Sequence, residues 1–60
     1  MNKPHLNEFI GKPIEYAEKY VKTVRVAKEN DKAYPLTADF RPERLNVELL
    51  GGLISKAYWG

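Results

Sequence analysis

Residues 34–47 of this 60-residue chain join two patterns of different kinds. They read Tyr34-Pro35-Leu36-Thr37-Ala38-Asp39-Phe40-Arg41-Pro42-Glu43-Arg44-Leu45-Asn46-Val47. The first half lies between two prolines and has neither helical nor strand periodicity. From Arg44 to Leu49, polar and apolar residues alternate, which is typical of a half-buried strand. A long irregular connection in a compact domain is usually functional or disordered, so we expect the function of the chain to lie here.

The composition limits the kind of domain that the chain can form. We expect a single domain over residues 1–60, with a loose N-terminal arm at 1–8, and hydrophobic residues supply 43% of the chain. A chain this short buries only ~60% of the surface that it exposes when unfolded. The sequence has no cysteine, so no disulfide adds stability. The apolar core must therefore hold the fold, with partner binding as a possible supplement.

The charge pattern argues against a nucleic-acid or membrane partner. A net charge of +2 is too mild to predict nucleic-acid binding by itself. The basic residues alternate with acids and lack an array of stacking aromatic side chains; they include Lys12, Lys19, Lys22, Arg25 and Lys28. No apolar run approaches the ~20 residues of a membrane span. The N-terminal residues lack the apolar segment of a signal peptide, which leaves the compartment open between a cytoplasmic protein and a mature secreted form.

Apolar spacing predicts one helix, from residue 14 to about residue 23. Its apolar residues recur at intervals of three and four along one face; they are Ile14, Ala17, Tyr20, Val21 and Val24. Pro13 suits the first turn of a helix, where a missing N–H leaves no bond unmade. We predict that this helix packs its apolar face on a sheet.

Three segments carry strand patterns: 24–27, 44–50 and 53–59. In the second, Leu45, Val47 and Leu49 alternate with polar residues and should face the core. Gly51-Gly52 predicts a two-residue hairpin, so the last strand should return antiparallel, although both of its faces mix apolar and polar residues. If the first two strands pair in parallel, residues 28–42 form the crossover that such a pair needs.

The predicted fold is therefore α+β: one helix packed on a small mixed sheet of about three strands, with a long extended loop. The order of its motifs is Gly11-Lys12-Pro13, helix, Val-Arg-Val strand, the run from Thr37 to Val47, a glycine turn and a terminal Gly60. Over roughly residues 6–60 this order resembles the potato inhibitor I (eglin-like) serine protease inhibitors, above all their small microbial, elastase-inhibitor-like branch. The run T-x-[DE]-[FY]-R…R-[LV] is the most specific part of the resemblance.

The resemblance implies a substrate-like protease-binding loop, in which the residue after the threonine enters the primary specificity pocket of the protease. On this chain that residue is Ala38, and the reactive bond is Ala38–Asp39. The implied loop consists of Pro35, Leu36, Thr37, Ala38, Asp39, Phe40 and Arg41. A small side chain suits a shallow pocket, so the implied partner is an elastase-like or subtilisin-like serine protease, whereas trypsin requires a cation. We expect a monomer that is not an enzyme and uses neither cofactor nor metal.

The resemblance also implies that the strand beneath the loop supports each side of the reactive bond. Arg44 matches the supporting arginine of the family and is expected to bond Asp39 and the Gly60 carboxylate, since a guanidinium offers several donors in one plane. The second support is usually basic in the family. Here it is Asn46, which is expected to bond Thr37 without carrying a charge.

Other interpretations stay open at this point. The chain is alternatively a non-enzymatic interaction module on the same fold, using an exposed edge strand or the Tyr58-Trp59 end. Phe40 faces the protease by the resemblance, but it equally suits the core at the start of a strand. Arg44 and Glu48 also suit an ordinary solvated strand face. We expect His5 to be exposed rather than a metal ligand, because no second ligand lies nearby in the sequence.

Overall fold

The computed structural model describes residues 5–36 and 38–60, which form one mixed sheet with two short helices. Its elements are a 3-10 helix (Leu6–Phe9), α1 (Ile14–Glu18), β1 (Thr23–Glu29), β2 (Lys32–Ala33), β3 (Arg44–Leu50) and β4 (Leu53–Trp59). The strand order is β2-β1-β3-β4, with β1 and β3 parallel and the other neighbours antiparallel. The α+β class is confirmed, but the sheet has four strands rather than about three. The added strand, β2, is too short for any periodicity to show.

The apolar core lies on one face of this sheet. Leu45, Val47 and Leu49 of β3 are buried there, as their alternation predicts. The cluster also contains Phe9, Ala17, Val21 and Ile54. Phe9 is fully buried and anchors the 3-10 helix to the sheet. Residues 6–8, which the sequence suggests belong to a loose arm, are therefore part of the folded domain.

Helix α1 is shorter than predicted, because it ends at Glu18 instead of about residue 23. Two further amides still bond the Ala17 carbonyl oxygen, after which β1 begins and pairs with β3. The β-branched Val24 and Val26 favour a strand, and pairing with the neighbouring strand overrides the helical spacing. Tyr20, which a longer helix would turn toward the core, is 58% exposed.

The predicted hairpin at Gly51-Gly52 joins β3 to β4. Both glycines have positive φ, 61° and 84°, as a two-residue turn of this twist requires. The pairing shifts register between Glu48 and Leu49, so β4 carries one extra residue there, a β-bulge. Because of the bulge, Ile54 and Trp59 both pack against the core, although strict alternation would send them to opposite faces. This is why neither face of β4 looks apolar in the sequence.

The parallel pairing of β1 with β3 determines where the long connection must end. Thr23 pairs with Arg44 and Arg25 pairs with Asn46, so both strands begin at the same end of the sheet. The chain leaves β1 at the opposite end and has to travel back before β3 starts. Residues 34–43 make this return, and they arrive beside Arg44.

Candidate functional site

The loop of residues 34–43 contains the segment that the sequence predicts to be functional. The structure describes residues 34–36 and 38–43 of it, and none of these belongs to a helix or strand. Two large apolar side chains of this loop face solvent, since Leu36 is 48% and Phe40 is 72% exposed. The loop therefore presents apolar side chains that the core does not use.

Arg44, the first residue of β3, joins this loop to the sheet. It is buried, with 8% exposure. Its Nη2 donates to the main-chain oxygen of Asp39 at 2.9 Å, and its Nε donates to the main-chain oxygen of Gly60 at 3.0 Å. The Asp39 carboxylate lies 3.7 Å from Nη1 and supplies the opposite charge. Because a buried charge has to be paired and hydrogen-bonded, Arg44 holds the loop and the end of the chain in one arrangement.

Gly60 forms the other side of this arrangement. Its N–H donates to the Arg44 carbonyl oxygen at 3.0 Å, so the two residues bond each other in both directions. Its φ of +146° is a conformation that residues with side chains rarely adopt. A Cβ at this position would lie 3.4 Å from Phe40 Cε1 and 3.6 Å from Asn46 Nδ2. The ring of Phe40 thus lies beside Gly60, and the positive φ rather than lack of space is what favours glycine here.

Asp39 and Arg41 form an ion pair on the exposed side of the loop. Arg41 Nε donates to Asp39 Oδ2 at 2.8 Å, and the two side chains are 60% and 45% exposed. The hydrogen bond to Asp39, followed by its charge, raises the pKa of Arg41. Exposed pairs contribute little to stability because water and salt screen them. The pair therefore orients the Asp39 carboxylate more than it stabilises the fold.

Asn46 is the second polar residue of β3 beneath the loop, and it is 1% exposed. Its Oδ1 accepts a hydrogen bond from Arg25 Nε at 2.8 Å, and its Nδ2 donates to the Tyr58 carbonyl oxygen at 3.4 Å. The contact from Asn46 to Thr37 that the resemblance implies falls on a residue outside the described part of the chain. The described contacts of Asn46 connect it to β1 and β4 instead.

The structure brings together the three residues that the resemblance assigns to loop support, namely Arg44, Asn46 and Gly60. The described residues of the predicted binding loop are all exposed; they are Pro35, Leu36, Ala38, Asp39, Phe40 and Arg41. Phe40 is not part of the core, and Arg44 is not on a solvated strand face, so these two simpler interpretations are wrong.

Two features of the site are missing from the sequence predictions. In the sequence, Arg25 stands out only as one of the basic residues that alternate with acids, yet it bonds the buried Asn46. A parallel alignment of the two strand patterns would have placed these residues side by side. The contact of Phe40 with Gly60 has no local signal, because the two residues meet only after β4 has returned along β3.

Within residues 5–36 and 38–60, no three His, Cys, Asp or Glu side chains are grouped so as to hold a metal ion. His5 is exposed. No helix in these same ranges is long and apolar enough to cross a membrane.

Comparison of the chain with models of known protein families, with curated proteins and with solved structures finds no match in any of the three. The resemblance to the potato inhibitor I family thus stays a prediction that depends on the motifs of this chain.

Proposed function

We propose that the protein inhibits serine proteases by presenting residues 35–41 to the active site as a substrate would. The reactive bond is Ala38–Asp39, and the side chain of Ala38 fills the primary specificity pocket. The protein carries out no catalysis of its own. One molecule of inhibitor occupies one protease, and inhibition requires no cofactor.

The observation that carries this proposal is the hydrogen bond from Arg44 to the main-chain oxygen of Asp39. When a protease attacks the reactive bond, Asp39 carries the amine that leaves as the acyl-enzyme forms. An ordinary substrate releases this amine to solvent, and water then hydrolyses the acyl-enzyme. An amine that stays bound to the sheet remains beside the acyl group, so the peptide bond re-forms and turnover is slow.

A second, weaker contact on the same side of the bond supports the proposal. The ring of Phe40 lies against Gly60, which Arg44 also holds. Asp39 is thus bonded to the folded domain, and the next residue, Phe40, is largely exposed but has one edge of its ring beside Gly60. A loop that is ordered before binding avoids much of the entropy loss of association, which favours tight binding as well as slow cleavage.

The size of Ala38 determines the class of protease that we propose as partner. Its methyl group is exposed and fits a shallow specificity pocket. Elastase-like and subtilisin-like enzymes accept such a residue. The acidic pocket of trypsin requires a cation, which Ala38 does not offer.

The proposal is tested by inhibition constants against elastase, subtilisin, chymotrypsin and trypsin. We expect the natural sequence to inhibit elastase or subtilisin and to inhibit trypsin poorly. Ala38→Lys should transfer inhibition to trypsin, because the new cation suits its pocket. Ala33→Lys adds the same charge to an exposed site outside the predicted binding loop and should leave the specificity unchanged.

Two results would contradict the proposal. If none of the four proteases is inhibited, the interaction module without protease inhibition becomes the better description of the chain. If Ala38→Lys and Ala33→Lys change trypsin inhibition equally, added charge rather than the specificity pocket accounts for the effect, and the reactive bond lies elsewhere.

A further inference from the structure

Arg25, Asn46 and Tyr58 form a row across three neighbouring strands. Arg25 is the direct partner of Asn46 in the parallel ladder, and Asn46 is the direct partner of Tyr58 in the antiparallel ladder. Side chains of directly paired residues point to the same face of a sheet. This row therefore lies on the face opposite Leu45 and Val47, which is the face that carries Arg44.

Arg25 determines how the Asn46 amide is oriented. A guanidinium has only donors, so the amide atom 2.8 Å from Arg25 Nε has to be the oxygen. The Nδ2 group is thereby directed to β4, where it donates to the Tyr58 carbonyl oxygen. Since Asn46 is 1% exposed, no solvent is available to replace the Arg25 donor if that donor is lost.

The Asn46 amide in turn lies beside Gly60, the residue that Arg44 connects to the loop. Its Nδ2 lies 3.6 Å from the point where a Cβ on Gly60 would be, beside the ring of Phe40. Gly60 is also the residue that Arg44 Nε bonds. Hydrogen bonds therefore connect Arg25 through Asn46 to the Tyr58 carbonyl oxygen near the end of β4, and Asn46 lies beside Gly60, which Arg44 connects to the loop.

The geometry points to Arg25 as a positioning residue for the loop. It supports the loop from a neighbouring strand, through Asn46 and Gly60, and complements the direct bond from Arg44. The importance of Arg25 for inhibition rests on the proposed function, whereas its effect on the order of the loop is a property of the free protein.

A purely structural role for Arg25 makes a different prediction. If Arg25 only stabilises the sheet, its loss affects the loop no more than any other substitution of equal effect on the free energy of unfolding. Ile54→Val provides this comparison, because Ile54 is 1% exposed and lies in the apolar core on the other face of the sheet.

The experiment replaces Arg25 by methionine, which keeps an unbranched apolar chain and removes the donors. Lys28→Met is the matched control, since Lys28 is exposed on the same strand. Two quantities are measured: backbone order parameters of residues 38–41 by NMR in the free protein, and the rate at which elastase or subtilisin cleaves Ala38–Asp39. We expect Arg25→Met to lower the order parameters from about 0.85 toward 0.6 and to raise cleavage about tenfold. Lys28→Met should change neither quantity.

A double-mutant cycle tests whether the effect passes through Asn46. In an Asn46→Ala background, Arg25→Met should change loop order and cleavage no further. The inference is overturned if the two substitutions act additively, if Ile54→Val loosens the loop as much as Arg25→Met, or if Arg25→Met has no effect while Arg44→Met does. If the natural sequence inhibits no protease, the proposed function fails, and the order parameters decide the role of Arg25 by themselves.

Discussion

Residues 44–47 of strand β3 are buried on both faces of the sheet, and different interactions hold the two faces. Leu45 and Val47 are 0% exposed and pack in the apolar cluster. Arg44 and Asn46 are 8% and 1% exposed on the other face, where they are surrounded by hydrogen-bond partners. Apolar packing is non-directional and depends mainly on volume, whereas a buried polar network has one satisfied arrangement. The first face is suited to stabilise the fold, and the second is suited to determine the position of the loop.

The largest effect on stability should come from the apolar face. Leu45→Ala leaves a cavity at a fully buried site and should lower the free energy of unfolding by about 2–5 kcal/mol. Urea denaturation measures this loss. Where the variant is folded, its inhibition constants should match those of the natural sequence. If the variant is too unstable to compare, Ile54→Val makes the same test with a smaller loss of about 0.5–1.5 kcal/mol.

A substitution on the polar face should cause a moderate loss of stability and a large change in the loop. Arg44→Met removes the hydrogen bonds to Asp39 and Gly60, and should lower the free energy of unfolding by about 1.5–3 kcal/mol. Under the proposed function, it should also convert the inhibitor into a substrate, since the leaving amine is no longer held. Mass spectrometry of the reaction with elastase or subtilisin follows cleavage at Ala38–Asp39 over time.

Arg44→Lys sharpens this comparison, because it keeps the charge but not the planar set of donors. We expect its cleavage rate to lie between those of the natural sequence and of Arg44→Met. If the lifetime of the intact loop is the same in all three proteins, the bond from Arg44 does not explain resistance to cleavage.

The smallest effect should come from the exposed ion pair of Asp39 and Arg41. Arg41→Ala should change the free energy of unfolding by less than either substitution above, because solvent screens the pair. High salt should remove the remaining difference in free energy of unfolding between Arg41→Ala and the natural sequence. Thermal melting at low and high salt measures this. A loss as large as that of Arg44→Met would mean that the ion pair, rather than the buried arginine, supports the loop.

The parts of the fold that were predicted correctly depend on local patterns. The alternation of apolar residues in β3 and the paired glycines of the hairpin are readable because each follows from the backbone geometry of a few residues. The end of α1 was not predictable in this way. Residues 19–22 continue the helical spacing but belong to neither α1 nor β1, and from Thr23 onward the chain pairs with β3.

The candidate site also contains one part that a sequence motif predicts and one part that depends on the pairing of distant strands. Arg44 was found from its place in the motif, and its contacts to Asp39 and Gly60 are present in the structure. The Arg25–Asn46 bond was missed, because 21 residues separate its partners. Their contact depends on the parallel alignment of two strands, and no short-range pattern reports that alignment.

By itself, the sequence determined that this chain has one apolar core, a β-hairpin at Gly51-Gly52 and an irregular connection before β3. These follow from side-chain period and from the freedom of glycine backbones, which act within a few residues. Only the tertiary structure decided the bulge in β4, the fourth strand and the polar row beneath the loop. Each of these depends on the register between strands, and register is a property of two segments packed together.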